Sequence, residues 1–97
     1  MKSQYIMEKG CLVVYVPREL DHHQANRIRT ETDLLIDTYH VRHLVFDFTE
    51  TEFMDSSGIA LILRSQQRMQ LLDGSLLVCN VPAQAKRVLD AAGIGRL

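Results

Sequence analysis

An excess of positive charge, long apolar runs and a leader segment are all missing from this sequence, and each absence excludes a class of protein. The net charge is −1, with 11 Lys and Arg residues against 12 Asp and Glu residues, so the chain lacks the basic surface that binds nucleic acid directly. No apolar run approaches the roughly 20 residues of a membrane-spanning helix. Residues 1–5 lack the apolar core of a signal peptide. We therefore expect a cytoplasmic protein that contacts neither nucleic acid nor membrane.

Cysteine is also scarce. The two cysteines, Cys11 and Cys79, lie in or beside apolar, strand-like segments. A buried, reduced thiol behaves as a small hydrophobic side chain, and disulfides are rare in the cytoplasm. We predict that both thiols are buried and reduced, and that the fold uses no disulfide.

The histidines do not form a recognisable metal site. His22 and His23 are adjacent, so their side chains point in different directions, and His40 and His43 straddle the predicted end of a helix. No cysteine or carboxylate joins either pair at a spacing typical of zinc sites. We predict no metal and no cofactor.

The rest of the composition is that of one folded domain. The chain has 97 residues, of which 46% are hydrophobic and 24% charged, which suits a single core and is too apolar for a disordered chain. No internal repeat, linker or low-complexity segment divides it. We therefore predict one domain over residues 1–97.

Hydrophobic periodicity indicates an α/β fold with the order β-β-α-β-α-β-α. A Gly-containing turn joins two β-rich segments near the N-terminus, which is typical of an antiparallel hairpin. Further apolar segments at residues 44–48 and 76–79 alternate with helices, and such crossovers produce a mostly parallel sheet with helices packed on it. Residues 12–16 are apolar at every position, which favours a strand covered on both faces. The last helix ends too close to residue 97 to leave room for another strand.

Two of the predicted helices have apolar residues at spacings of three and four, so one face of each should be buried. Asp21 precedes the first of them and can cap its open amides. The predicted inward residues are Ala25, Ile28, Thr32, Leu35, Ile36 and Tyr39 in the first helix, and Ala85, Val88, Leu89 and Ala92 in the last.

The most informative stretch of the chain is residues 53–63, in which Asp55, Ser56, Ser57 and Gly58 precede a fully apolar run. Asp and Ser are preferred at helix starts because their side-chain oxygens accept hydrogen bonds from amides that the first turn leaves open. We predict a helix that begins at residues 55–57. Two hydroxyls then lie at the surface beside a carboxylate.

Three chemical roles for the paired serines can be weighed against simple capping. A catalytic serine is disfavoured because the Gly-x-Ser-x-Gly elbow is absent, and the phosphate-binding loop motif is absent as well. A phosphorylated serine is compatible with the position: the phosphate adds a charge of about −1.5 to −2, which a helix start tolerates. A partner docked on that surface would lose far more affinity than the fold would lose stability.

Four segments together resemble the bacterial anti-sigma factor antagonists, which are STAS domains. They are residues 19–23 (Glu-Leu-Asp-His-His), residues 42–43 (Arg-His), residues 53–58 (Phe-Met-Asp-Ser-Ser-Gly), and residues 85–90 with 92–93. The similarity extends over nearly the whole chain. The Met-Asp-Ser-Ser-Gly block is specific to these antagonists, and Glu-Leu-Asp-His-His is similar to the sporulation branch that acts on sigma F.

This resemblance implies a regulator without enzymatic activity. Such proteins bind an anti-sigma factor that is also a serine kinase and so release a sigma factor; the kinase uses ATP to phosphorylate the antagonist, and a phosphoserine phosphatase reverses the modification. The family pattern implies that Ser56 accepts the phosphate, with Ser57 beside it. It also implies that Asp55 and Gly58 shape the loop that the kinase reads, and that Asp21 lines the docking surface.

Two other functions remain open from the sequence. The chain could be a STAS-type scaffold or regulatory subunit of another assembly, either stressosome-like or associated with transport. A small enzyme that uses Ser56 is a third possibility.

One departure from the family pattern concerns the docking surface, because Arg18 stands where relatives usually have Gly. If that Gly has a positive φ, Arg18 should strain or reshape the loop that carries Asp21.

Overall fold

The computed structural model describes residues 4–91, 93 and 95–96 of the chain, with side chains up to residue 91 and at residue 93. Strands and helices alternate along most of it. In chain order the elements are β1 (Gln4–Glu8), β2 (Cys11–Tyr15), β3 (Glu19–Leu20), α1 (His22–Tyr39), β4 (His43–Asp47), β5 (Phe53–Met54), α2 (Ser56–Leu71), β6 (Ser75–Cys79), α3 (Ala83–Ala91) and β7 (Gly95–Arg96).

The main sheet has five strands in the order β1-β2-β4-β6-β7. β1 and β2 are antiparallel, and every other neighbouring pair in this sheet is parallel. Lys9 and Gly10 form the hairpin turn with φ values of 51° and 78°, a pair of positive φ values that suits the twist of a two-residue hairpin. The predicted α/β fold, with a mostly parallel sheet and an antiparallel N-terminal hairpin, is confirmed.

Three short strands were not predicted. β3 and β5 form a separate two-stranded parallel sheet, and β7 extends the main sheet beside β6. The prediction that no strand could follow the last helix was therefore wrong. A strand of two residues shows no measurable periodicity, and it forms because a neighbouring strand offers free backbone groups.

The hydrophobic core lies on one face of the main sheet. Each central strand alternates between buried and half-buried residues, so that Leu12 and Val14 of β2 are fully buried while Val13 is only half-buried. The prediction that this strand is covered on both faces was thus wrong, because the helices of the described chain contribute their buried residues to one core cluster only. Ala25, Ile28, Thr32 and Ile36 of α1 are buried as predicted.

The remaining predicted helix faces were partly wrong. Tyr39 and Val88 are 57% and 46% exposed, whereas Ala85 and Leu89 are buried. Ala92 lies outside the described residues. Within those residues, no helix is both long and apolar enough to cross a bilayer.

Both cysteines are free thiols, as predicted, although each is half-buried rather than fully buried. Cys11 lies opposite His43 and Cys79 lies opposite Asp47, so the two thiols are two strands apart and four residues out of step. With strands about 4.8 Å apart and residues rising about 3.3 Å each, this separation exceeds the roughly 7 Å limit for a disulfide. Burial, and secondarily the carboxylate of Asp47, raise the pKa of the Cys79 thiol.

Charged side chains join α1 to α2. Asp33 of α1 accepts from Arg68 at 2.6 Å and from Arg64 at 3.2 Å, and Arg68 also pairs with Asp37. Burial by itself would raise the pKa of Asp33, but hydrogen bonds from the two arginines outweigh it and hold this pKa below its ordinary value. The two helices are therefore fixed side by side, with Asp33 ionised between them.

Candidate functional site

The pairing of β3 with β5 brings the starts of two helices together. Leu20 lies opposite Met54 in this parallel pair, so the residues that directly follow the two strands, Asp21 and Asp55, lie beside each other. The two aspartates have nearly the same backbone conformation, with φ and ψ of −95° and −176° at Asp21 and −94° and −172° at Asp55. The amide of Asp55 donates to the carbonyl of Leu20 at 3.2 Å, which ties the two helix starts together.

Each aspartate caps the helix that follows it. The Oδ1 atom of Asp21 accepts from the amide of Gln24 at 2.9 Å, and Oδ1 of Asp55 accepts from the amide of Ser57 at 2.8 Å. These bonds satisfy amides that the first turn leaves without a helical partner. Both predicted helix starts are confirmed. We call the surface formed by Asp21, Asp55, Ser56 and Ser57 the twin-cap surface.

The two serines differ in environment although they are adjacent. Ser56 is the first residue of α2 and is exposed. Among the described residues its hydroxyl has no hydrogen-bond partner. Ser57 is half-buried, and its Oγ lies 3.4 Å from Nδ1 of His22 at the start of α1. Ser56 therefore presents a free hydroxyl to solvent, whereas Ser57 faces the neighbouring helix.

Gly58 is buried and lets α2 approach the small β3–β5 sheet closely. A Cβ atom at this position would lie 2.4 Å from Cγ of Met54 and 2.8 Å from Cδ2 of Leu20. Because both of those side chains belong to the core, neither is free to swing away. Gly58 thus affects the twin-cap surface through packing beneath it rather than through its own exposure.

Arg18 does not strain the loop that leads to Asp21. Its φ lies outside the left-handed region, which among the described non-glycine residues contains only Lys9, His40, Asp73 and Asn80. The Arg18 carbonyl accepts from the amides of Glu52 and Phe53, and its guanidinium pairs with Glu52 at 3.1 Å. Of the two expected outcomes, strain at Arg18 is absent, and Asp21 keeps its capping position.

Three further residues support the site and were not singled out for this role from the sequence. Thr51 is buried, and its hydroxyl lies 3.0 Å from the carbonyl of Pro17, which fixes the loop before β5 to the loop after β2. The Nε2 atom of Gln84 donates to the carbonyl of Met54 at 3.3 Å. His22 faces Ser57. All three contacts join residues at least 30 positions apart, so no local pattern indicates them.

Two features of the site bear on whether it can bind a metal ion or a small molecule. Within the described residues, no three His, Cys, Asp or Glu side chains lie close enough together to hold a metal ion. The groove beside Ser57 has a volume of about 180 Å³, below the roughly 300–1,000 Å³ of pockets that enclose small molecules. A second cleft, lined by Arg18, Glu19, Asp21 and Gln24, has a volume of about 290 Å³.

The sequence model of the STAS domain family matches residues 4–97 of the chain. The chain belongs to the STAS domain family. This STAS domain is 33% identical to the anti-sigma F factor antagonist of Paenibacillus polymyxa, in an alignment that covers 100% of the chain and 85% of that relative.

Solved structures of the family have the same architecture. The unphosphorylated form of the anti-sigma factor antagonist SpoIIAA matches this STAS domain with a TM-score of 0.87 and 26% identity, over 99% of this chain and 87% of that one. The phosphorylated form of SpoIIAA, a cell fate determinant of Bacillus, matches with a TM-score of 0.88 and 25% identity, over 99% and 89% of the two chains.

Proposed function

We propose that this STAS domain is an anti-sigma factor antagonist, a cytoplasmic regulator without enzymatic activity. It binds an anti-sigma factor through the twin-cap surface and so releases the sigma factor held by that protein. The proposal is supported by the names of its relatives, which include an antagonist 33% identical over the whole chain. Asp21, Asp55, Ser56 and Ser57 contact the partner, and Gly58 sets their position from below.

The second part of the proposal is that phosphorylation of the exposed Ser56 hydroxyl regulates this binding. The anti-sigma factor acts as a serine kinase: the Oγ atom of Ser56 attacks the γ-phosphorus of ATP, ADP leaves, and the hydroxyl proton passes to a base on the kinase. Because Ser56 stands at the exposed start of α2 without an internal hydrogen bond, a kinase can reach it without unfolding the helix. A phosphoserine phosphatase restores the hydroxyl.

Phosphate on Ser56 changes binding rather than folding. A helix start stabilises a nearby anion by roughly 0.3–1 kcal/mol, and the Asp55 carboxylate opposes it by a similar amount. The nearly equal match of this chain to the two forms of SpoIIAA, with TM-scores of 0.87 and 0.88, agrees with a fold that tolerates the modification. At a desolvated interface the same charge can cost about 4 kcal/mol, roughly a thousandfold in affinity.

Release of a sigma factor tests the proposed function. A complex of sigma F with the anti-sigma F factor of Paenibacillus polymyxa is mixed with the unmodified domain, and free sigma factor is measured by size-exclusion chromatography. We expect the domain to displace sigma F, and Ser56→Ala to do so equally well. If neither protein displaces the sigma factor while both remain folded, the proposed function is wrong.

A further inference from the structure

A groove between α1 and α2 opens directly beside the twin-cap surface. It has a volume of about 180 Å³ and is lined by the facing sides of the two helices, from Ser57 at one end to Arg64 at the other. Small side chains create the space, because Ala25 of α1 and Ala60 of α2 both lie along it. The volume suits one protein side chain and is too small for a nucleotide.

The polar lining of the groove consists mainly of groups that can donate hydrogen bonds. Oγ of Ser57 lies 3.4 Å from one ring nitrogen of His22, and Nδ2 of Asn26 lies 3.5 Å from the other. Arg29 and Arg64 supply guanidinium groups farther along the groove. These side chains are 41% and 46% exposed, so both can reach a group that enters from solvent.

Arginines outnumber carboxylates in the cluster of charged side chains at the Arg64 end of this groove. Asp33 is shared by three arginines, with N–O distances of 4.0 Å to Arg29, 3.2 Å to Arg64 and 2.6 Å to Arg68. Asp37 adds a second carboxylate, which pairs with Arg68. Within this cluster three guanidinium groups face two carboxylates, and Arg29 has the longest of these contacts. The charged side chains that line the groove itself are Arg29 and Arg64, whereas the carboxylates of Asp21 and Asp55 cap the helix starts at its other end. The end of the groove at Arg29 and Arg64 is therefore complementary to an anion.

We propose that this groove receives a single Asp or Glu side chain of the anti-sigma factor. This inference rests on the proposed function and extends it by naming the chemistry of the second contact. The carboxylate enters between Ala25 and Ala60, pairs with Arg29, and accepts from Asn26 or Ser57. A lysine or arginine side chain would be repelled by Arg29 and Arg64, and a large apolar side chain would offer these donors no acceptor.

The position of the groove explains why phosphate on Ser56 would expel the partner. Ser57 lines the groove, and Ser56 is the preceding residue at the open end of α2. A phosphate there adds a charge of about −1.5 to −2 near the incoming carboxylate. Like charges brought together at a desolvated contact are strongly unfavourable. The groove and the phosphorylated serine thus act on the same binding step.

Binding of matched variants to the anti-sigma F factor of Paenibacillus polymyxa, measured by isothermal titration calorimetry, tests the groove. Arg29→Gln removes one charge from it, and Ala60→Leu fills it at an exposed helical position where Leu is nearly as favourable as Ala. Arg42→Gln removes the same charge at the opposite edge of the sheet. We expect Arg29→Gln to weaken binding about tenfold, Ala60→Leu to weaken it by about tenfold or more, and Arg42→Gln to leave it unchanged within about twofold.

Ionic strength provides a second measurement. The affinity of the unmodified domain should fall as salt is raised from about 50 to about 500 mM, and Arg29→Gln should show a smaller fall because one attractive contact is already lost. Equal affinities for the unmodified domain, Arg29→Gln and Ala60→Leu would overturn the groove proposal alone. Tighter binding by Arg29→Gln would also overturn it. If the unmodified domain does not bind, both the proposed function and the groove proposal fail.

Discussion

At the scale of single residues, two adjacent serines acquire different roles from their neighbours. Ser56 is exposed at the first position of α2, while Ser57 faces His22 of α1 at 3.4 Å. The sequence predicts that both lie at a helix start, since capping depends on local residues. It cannot predict that Ser57 faces His22, because that contact joins residues 35 positions apart and depends on the pairing of β3 with β5.

Replacement of Ser56 by aspartate should imitate part of the phosphate effect. We expect Ser56→Asp to bind the anti-sigma factor at least about tenfold more weakly than the unmodified domain, because it adds a carboxylate to a desolvated contact. Asn has nearly the same size as Asp but no charge, so Ser56→Asn should retain most of the affinity. Surface plasmon resonance measures both. Equal binding by Ser56→Asp and the unmodified domain would exclude repulsion by charge as the mechanism.

Gly58 provides a prediction about stability. In an open helix, Gly→Ala is favourable by about 1 kcal/mol, but here the added Cβ would lie 2.4 Å from Cγ of buried Met54. We expect the overpacking to outweigh the helix preference and to lower the free energy of unfolding by about 1–3 kcal/mol. Urea denaturation measures the change, with Ala60→Ser as an exposed control on the same helix. Stabilisation by Gly58→Ala would mean that α2 can move away from Leu20 and Met54 at little cost.

At the scale of secondary-structure elements, local signals and tertiary contacts differ in what they determine. Asp21 and Asp55 begin their helices as predicted, because a cap is formed by residues two or three positions away. The inward faces were predicted less well: Tyr39 and Val88 continue the apolar spacing of their helices, yet both are exposed. Periodicity indicates that a face is apolar, but the packing of the helix against the rest of the fold determines how much of that face is covered.

Two variants of Asp21 distinguish the effect of its capping hydrogen bond from the effect of its charge. Asp21→Ala should lower the free energy of unfolding by about 0.5–2 kcal/mol, because the amide of Gln24 loses its acceptor, while Asp21→Asn should change it by only a few tenths because Asn caps equally well. Chemical denaturation measures the unfolding free energy of both variants, and their m-values should equal that of the unmodified domain. Equal losses in the two variants would show that the hydrogen bond to Gln24 is not the source of the stability.

The contact between α1 and α2 should depend on pH through Asp33. Because the folded pKa of Asp33 lies below its ordinary value of 3.8, this carboxylate contributes stability that is fully present above about pH 4 and is lost as the pH falls through the lowered pKa. Asp33→Asn removes the ionisable group, so its unfolding free energy should vary less between about pH 4 and pH 2 than that of the unmodified domain. Thermal unfolding across this range measures the difference, and parallel curves would contradict the assignment.

At the scale of the whole molecule, the parallel sheet collects the functional residues at one edge. β2 and β4 end at the same edge, and each is followed by a short strand, a capping aspartate and a helix. Ligand sites in open α/β sheets lie outside the carboxyl ends of the strands, and the twin-cap surface has this position. The sequence predicts the alternation of strands and helices that creates this edge. It does not predict the β3–β5 pair, because each of these strands has only two residues.

Location of the phosphate is the most direct test of the central claim, that the exposed hydroxyl of Ser56 is the regulated group. The unmodified domain, Ser56→Ala and Ser57→Ala are each incubated with ATP and the anti-sigma F factor of Paenibacillus polymyxa, and the modified position is found by tandem mass spectrometry. We predict one phosphate on Ser56 in the unmodified domain and in Ser57→Ala, and none in Ser56→Ala. A phosphate on Ser57, or on Ser56→Ala at any position, would contradict the account.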